Sequence, residues 1–187
     1  GAAISSAEYT KIRDLWFETS YLSVMNISPE AEALLSGEYK ELSLKDYMNV
    51  TEDFRSSGGI DVSPLKNYLA EVISEEDVRK SHIDFGLVLY SVSDMKPQML
   101  YIDQIPQGEL IDYILGSANF PLFQRQKIEG NIMIDGGVYS NVPIDMAIGK
   151  GFKNIIIVDI GFSTPVDIAN TIKLKSDNSV NLTYIIP

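Results

Sequence analysis

The stretch that decides the fold covers residues 132–160, with the sequence IMIDGGVYSNVPIDMAIGKGFKNIIIVDI. It begins with the apolar strand Ile132–Asp135, continues into a predicted helix over Val142–Lys150, and ends in the apolar run Asn154–Ile160. Gly151 follows the helix at a position where glycine commonly ends one. A continuous apolar run is typical of a strand buried on both faces of a parallel sheet. The pattern predicts a right-handed βαβ unit with the two strands as parallel neighbours, and therefore an α/β fold.

The residues before this stretch predict a β-hairpin followed by a helix. Asp84–Ser93, with the sequence DFGLVLYSVS, is rich in residues that favour strands. Asp94–Pro97 predicts a turn, and Gln98–Ile102 predicts the second strand of the hairpin. Gly108–Leu115 predicts a helix with its apolar residues on one side, and Lys127–Ile134 predicts a strand with an interruption in its middle.

The length and composition fit one globular domain. The chain has 187 residues, of which 45% are hydrophobic and 22% are charged. We therefore treat residues 1–187 as a single domain, in which residues 20–80 form a helical insertion or cap region of short helices and polar turns. At the N-terminus, Ala7–Ser20 predicts an amphipathic helix whose Trp16 and Phe17 pack the core.

The charge and the rare residue types exclude several classes of function. The chain has 15 Lys and Arg against 26 Asp and Glu, a net charge of −11, which disfavours binding to nucleic acid. The absence of Cys excludes disulfides and thiolate chemistry, and a single His without Cys disfavours a transition-metal site. No apolar run approaches the ~20 residues that a transmembrane helix needs.

The most informative candidate for chemistry is Asp135, which ends an apolar strand and precedes Gly136 and Gly137. Ligands and catalytic groups of open α/β sheets gather beyond the carboxyl ends of strands. Two glycines allow the backbone to turn sharply and bring the carboxylate close to a neighbour. The alternative interpretation, which the pattern alone favours, is an Asp-Gly tight turn in a hairpin.

Two other polar residues are weaker candidates. Ser117 lies where small residues end a helix, and it lacks the flanking glycines of a strained nucleophile turn, as do Ser5 and Ser6. His82 is the only imidazole, and its polar surroundings predict a surface position. It also precedes Asp135 in the chain, which is the wrong order for a Ser-His-Asp hydrolase of the α/β type.

Taken in order, these segments resemble the patatin-like phospholipase family, most closely its bacterial branch with a compact catalytic domain. The similarity extends over most of the chain. The shared features lie in four segments: Asp135-Gly136-Gly137, Asn141 with Pro143, Ser117–Pro121 and Asn154–Asp159. The first two segments match the family's strand that ends in Asp-Gly-Gly and the helix start with Asn and Pro that follows it. The third matches a small-residue and aromatic-proline step, and the last matches the strand after the helix.

The resemblance implies a three-layer α/β fold with a mostly parallel central sheet. It also implies an acyl-ester hydrolase, such as a phospholipase A or a lysophospholipase, that uses a Ser-Asp dyad. Asp135 would be the acid-base partner of the serine, placed by the motif that it forms with Gly136 and Gly137. No cofactor and no metal is implied, and the substrate would be a lipid or acyl ester. The expected location is the cytoplasm or the membrane periphery, with transient contact with a membrane or micelle surface.

The chain departs from the family pattern at the nucleophile. The family's serine lies in a Gly-x-Ser-x-Gly motif near the domain's N-terminus, after a glycine-rich turn that supplies the oxyanion hole, and neither occurs in these 187 residues. Gly1–Ala3 would be the tail of that motif or the start of the next helix, with the N-terminal strands upstream. The chain alone is then expected to be inactive. Two alternatives stay open: an inactive member of the same fold, and an unrelated α/β binding domain.

Overall fold

The computed structural model describes residues 21–28, 55–120, 122–161, 163–175 and 180–186, together with Thr10, Arg13, Phe17, Glu32 and Glu52. The helices with described bounds are α1 (Ser63–Val72), α2 (Glu75–Lys80), α3 (Leu110–Ser117), α4 (Ile144–Gly149) and α5 (Pro165–Lys175). The strands are β1 (Gly86–Ser91), β2 (Lys96–Tyr101), β3 (Gln126–Ile128), β4 (Asn131–Asp135), β5 (Asn154–Val158) and β6 (Asn181–Ile185). Short 3₁₀ helices span Tyr21–Val24, Ile102–Gln104 and Gly136–Val138. Helices and sheets alternate along the chain, so the predicted α/β class is confirmed.

The first sheet has the order β2-β1-β4-β3 and is antiparallel at every pairing. The predicted hairpin is confirmed, because β1 pairs with β2 from Gly86 opposite Tyr101 to Ser91 opposite Lys96. The interruption predicted within the later strand is a second hairpin between β3 and β4. Its two turn residues, Glu129 and Gly130, both have positive φ, 51° and 81°, as a tight turn that follows the strand twist requires.

The core lies between this sheet and the helices α1, α2 and α3. Leu89 of β1 and Leu110 of α3 are fully buried, and Met133 of β4 and Val78 of α2 are 1% exposed. Gly116 lets α3 approach the sheet closely, since a Cβ on it would lie 2.8 Å from atoms of Leu89 and Ile128. The small residue near the end of this helix thus has a packing role.

The second sheet consists of β5 and β6, which run parallel with α5 between them in sequence. This is a βαβ unit, but it lies one strand later than predicted. Strand β4 cannot pair with β5, because β4 lies inside its own sheet and both its edges are occupied, by β1 and β3. The prediction of Ile132–Asp135 and Asn154–Ile160 as parallel neighbours is therefore wrong, and so is a mostly parallel sheet around Asp135.

The burial predicted for β5 is also wrong. Ile157 is 3% exposed, but Ile156 and Val158, on the opposite face of the strand, are 68% and 61% exposed. Their register partners on the same face are Thr183 and Ile185. Among the described residues, this two-stranded sheet is covered on one face only.

The N-terminal prediction is only partly covered by the structure. Thr10, Arg13 and Phe17 are helical, and the rest of Ala7–Ser20, including Trp16, lies outside the described residues. Phe17 is 82% exposed, so its predicted place in the core is wrong. The helices α1 and α2, within residues 20–80, contribute Val72 and Val78 to the core cluster. The assignment of residues 20–80 as an insertion or cap stays a prediction.

Candidate active site

Asp135 is the last residue of β4 and the cap of the 3₁₀ helix Gly136–Val138 that follows. Its side chain is half-buried, and its Oδ1 accepts a hydrogen bond of 2.7 Å from the backbone N–H of Gly137. Among the described residues, Oδ2 accepts no hydrogen bond. Beyond the 3₁₀ helix the chain continues into α4 rather than back along β4, so the alternative of a tight hairpin turn is wrong.

Each glycine of the motif has its own steric reason. A Cβ on Gly136 would lie 2.5 Å from the carbonyl carbon of Val88 and closer still to its oxygen. On Gly137 a Cβ would collide with the Oδ1 of Asn141 and lie 3.0 Å from the Oδ1 of Asp135. The first glycine therefore lets the turn pass against β1, and the second lets the Asn141 side chain fold over the backbone that holds Asp135.

Asn119 holds the backbone of Asp135 from the other side. Its carbonyl accepts from the Asp135 N–H at 3.0 Å, and its side-chain Nδ2 donates to the Met133 carbonyl at 2.9 Å. The Met133 carbonyl belongs to the last residue of β4 that pairs with β3, opposite Gln126, and the Asp135 N–H lies beyond that pairing. Asn119 thus takes the place of a neighbouring strand, bonding to β4 through its backbone carbonyl and its side-chain amide. The residue is 3% exposed.

Ser117 has a structural contact rather than the environment of a nucleophile. Its hydroxyl donates to the Val88 carbonyl at 2.6 Å, next to the place where Gly136 passes. Within the segment Ser117–Pro121, residues 117–120 therefore close the end of the β1–β4 ladder, and Pro121 lies outside the described residues. His82 is exposed between α2 and β1, as predicted. Ser5, Ser6 and Gly1–Ala3 lie outside the described residues.

Asp167, in the first turn of α5, is a residue that the sequence analysis missed. It is 2% exposed, and five donor groups lie within hydrogen-bond distance of its carboxylate. Oδ1 accepts from the Ser140 hydroxyl at 2.5 Å and from the Val142 N–H at 3.2 Å. Oδ2 accepts from the Asn141 N–H at 3.0 Å and from both the N–H and the hydroxyl of Thr164 at 2.8 Å.

A sequence signal for Asp167 exists in retrospect. The Asp167 N–H donates back to the Thr164 hydroxyl at 3.2 Å, so the two residues form a capping box around Pro165 and Val166. The pattern Thr-Pro-Val-Asp predicts such a helix start. It predicts no bond to the turn after Asp135, which is 25 or more residues away in sequence.

The buried pair of Ser140 and Asp167 has the spacing of a Ser-Asp dyad but not its other properties. Both side chains are buried, at 3% and 2% exposure, so no substrate reaches the hydroxyl. Burial raises the pKa of Asp167, but the hydrogen bonds from Ser140, Thr164 and Asn141 outweigh it and hold the pKa below its ordinary value. A carboxylate with its lone pairs occupied and a lowered pKa is a poor base, so this pair is structural.

Two further searches cover the part of the chain that the structure describes. Within the described residues, no group of three or more His, Cys, Asp or Glu side chains is placed to hold a metal ion. The helices in this part of the chain include none that is both long and apolar enough to cross a membrane. The contacts described above define the candidate active site as Asp135 with the groups around it, Gly136, Gly137, Asn119 and Asn141.

Comparison with known proteins identifies one family. The family model described as patatin-like phospholipase matches residues 3–148 of the chain. The match includes Asp135, Gly136 and Gly137 and ends within α4, so Asp167 lies beyond it. A search of curated proteins finds no match. A family match over most of the chain overturns the alternative of an unrelated α/β domain, although the predicted pairing of β4 with β5 is absent.

Proposed function

Because the chain belongs to the patatin-like phospholipase family, we propose that it supplies the acid-base residue of a lipid acyl hydrolase. Family membership supports lipid acyl hydrolysis in general. The finer proposal is a Ser-Asp dyad in which Asp135 is the acid-base partner and the serine comes from a Gly-x-Ser-x-Gly motif upstream of Gly1. The activity would be that of a phospholipase A, a lysophospholipase or a carboxylic ester hydrolase.

One observation carries this proposal: Asp135 is fixed through one carboxylate oxygen while the other remains available. The Gly137 N–H holds Oδ1 at 2.7 Å, and Asn119 holds the Asp135 backbone. Among the described residues Oδ2 has no donor, and the side chain is only half-buried. A base needs a fixed orientation and a free lone pair directed at the proton that it takes.

In the proposed ester hydrolysis, Oδ1 of Asp135 stays bonded to Gly137 and Oδ2 takes and returns the proton. The serine hydroxyl gives its proton to Oδ2 of Asp135 as its oxygen attacks the acyl carbon. Backbone N–H groups stabilise the oxyanion that forms, and the leaving alcohol takes the proton from Asp135 as the ester bond breaks. Water then attacks the acyl-serine with Asp135 again as the base, which releases the carboxylic acid and restores the hydroxyl.

The test uses the full-length protein with the substitution Asp135→Asn. Asparagine keeps the shape and the acceptor for the Gly137 N–H but cannot take a proton, so we expect kcat for a chromogenic ester to fall about 100-fold to 10,000-fold. A thermal melt checks that the variant is folded. Asp94→Asn makes the same change in the hairpin turn between β1 and β2, where Asp94 accepts from the Ser91 hydroxyl, and should leave kcat unchanged.

The outcomes separate the remaining alternatives. Near-normal turnover by a folded Asp135→Asn variant would rule out the dyad. No turnover by the unsubstituted full-length protein, on esters and phospholipids of several chain lengths, would instead support the inactive family member. Turnover by material whose mass matches only these 187 residues would place the serine within the chain and refute an upstream nucleophile.

A further inference from the structure

The buried carboxylate of Asp167 is bonded mainly to the segment that follows the proposed catalytic aspartate. Three of its five donors belong to Ser140, Asn141 and Val142, between the Asp135 motif and α4. The other two belong to Thr164, at the start of its own helix. Asp167 therefore connects α5, beyond the family match, to the turn at the end of β4.

Two short routes lead from this carboxylate to Asp135. In the first, Asp167 accepts from the Asn141 N–H, the Asn141 side chain lies against Gly137, and the Gly137 N–H holds the Asp135 Oδ1. In the second, the Thr164 hydroxyl lies 2.8 Å from both the Asp167 Oδ2 and the Tyr139 carbonyl, and its single hydrogen is donated to one of them at a time. The Tyr139 N–H in turn donates to the Gly136 carbonyl at 2.9 Å. Both routes end at the glycines that orient Asp135.

We propose that Asp167 is a positioning residue for Asp135: it fixes the turn Tyr139–Val142 so that the Gly137 N–H orients the catalytic carboxylate. This inference rests on the proposed function of Asp135. Asp167 itself is 2% exposed and touches no substrate. Its role depends on an ionised carboxylate, because a neutral amide offers one acceptor atom to donors that approach both oxygens.

The direction of the Asp167 pKa agrees with this role. Burial alone would raise that pKa, but the donors from Ser140, Thr164 and Asn141 lower it, so the group is charged at neutral pH. A charged carboxylate in this position accepts on both oxygens at once, from Ser140 and Val142 on Oδ1 and from Asn141 and the Thr164 N–H on Oδ2. The turn therefore has one arrangement rather than several, which is what a base within hydrogen-bond reach of a serine requires.

The test compares Asp167→Asn with Glu75→Gln in the full-length protein. Glu75 is a suitable control because its carboxylate also accepts two backbone N–H groups, those of Gly108 at 2.9 Å and Leu110 at 3.2 Å. Its bonds anchor the start of α3 and do not involve residues 135–142. Both variants should lower Tm, but only Asp167→Asn should lower kcat, about 10-fold to 100-fold, with KM within about twofold.

A milder variant covers the case in which Asp167→Asn does not fold. Ser140→Ala removes one of the five donors and leaves the carboxylate charged, so we expect a folded protein with kcat lowered about threefold to tenfold. Rates are measured per folded molecule, at a temperature well below the melts of all variants. Normal kcat in folded Asp167→Asn, or in Ser140→Ala if the former does not fold, overturns the positioning role. If Asp135→Asn is inactive at the same time, the proposed function stands and only this inference fails.

Discussion

The substitution Gly136→Ala tests the packing of the turn that carries Asp135, independently of any enzymatic assay. A Cβ at this position would lie 2.5 Å from the Val88 carbonyl carbon and 2.8 Å from the Val88 Cβ. These atoms belong to the backbone and Cβ of β1, the second strand of its sheet, and cannot rotate away as the end of a side chain can. The last pair of the β1–β4 ladder, Leu89 opposite Asp135, is next to the clash and would have to separate.

The expected loss of stability in Gly136→Ala follows from an added methyl group that meets atoms of β1 which cannot move aside. Inserted methyl groups in packed sites cost about 1–3 kcal/mol, and this clash with backbone belongs at the upper end. For a chain of this size, about 3 kcal/mol corresponds to a fall in Tm of about 6–12 °C. For Gly137→Ala the clash is with the Asn141 side chain, which can turn aside, so we expect about 1 kcal/mol or less.

The assay is thermal melting followed by circular dichroism, with Gly149→Ala as the matched control. Gly149 lies in α4 with nothing within 4 Å of a Cβ, so alanine there should raise stability by up to about 1 kcal/mol. From most to least stable, we expect the order Gly149→Ala, unsubstituted protein, Gly137→Ala, Gly136→Ala. A Gly136→Ala variant as stable as Gly137→Ala would refute the close approach to Val88.

Two further predictions concern stability. Hydrogen bonds hold the folded-state pKa of Asp167 below its ordinary value of 3.8, so its contribution is complete above that value and is lost as the pH falls further. Melts between pH 7 and pH 3 should therefore show a smaller acid-induced loss for Asp167→Asn, and equal losses would contradict this. Asn119→Ala leaves the Met133 carbonyl without its side-chain donor and should cost about 1–3 kcal/mol in urea unfolding. The exposed Asn154→Ala should cost less than about 0.5 kcal/mol, and similar costs for the two would argue against the Asn119 contact.

Local patterns in the sequence were sufficient for the β1–β2 hairpin and for the position of Asp135 at the end of a strand. The β1–β2 hairpin depends on neighbouring residues and a short turn, and the end of β4 is marked by Asp135, Gly136 and Gly137 themselves. These features need no knowledge of distant contacts. The family match then agrees with a resemblance that was carried by the same residues.

Strand neighbours could not be predicted in the same way. The apolar runs of β4 and β5 are similar, and the helix between them has a suitable length for a βαβ unit. Hydrophobic pattern does not record which edges of a strand are already occupied. Strand β4 is enclosed by β1 and β3, and the partner that β5 finds is β6, after a helix that the sequence analysis did not predict.

Asp135 and Asp167 differ in which carboxylate oxygens are free to accept a proton, and this difference matters more than distance to a serine. Asp167 lies 2.5 Å from a serine hydroxyl, yet both of its oxygens are occupied by donors that keep it charged. Asp135 has one oxygen held by Gly137 and, among the described residues, one without a donor. A serine that completes the proposed dyad must therefore approach Asp135 at Oδ2, on the side away from Gly137. Gly136 lies against β1 and Asn119 holds the backbone on the opposite edge of β4, so the end of this strand is held from both sides. In the proposed dyad, the serine must therefore be brought to a carboxylate on a strand end that is already held in place.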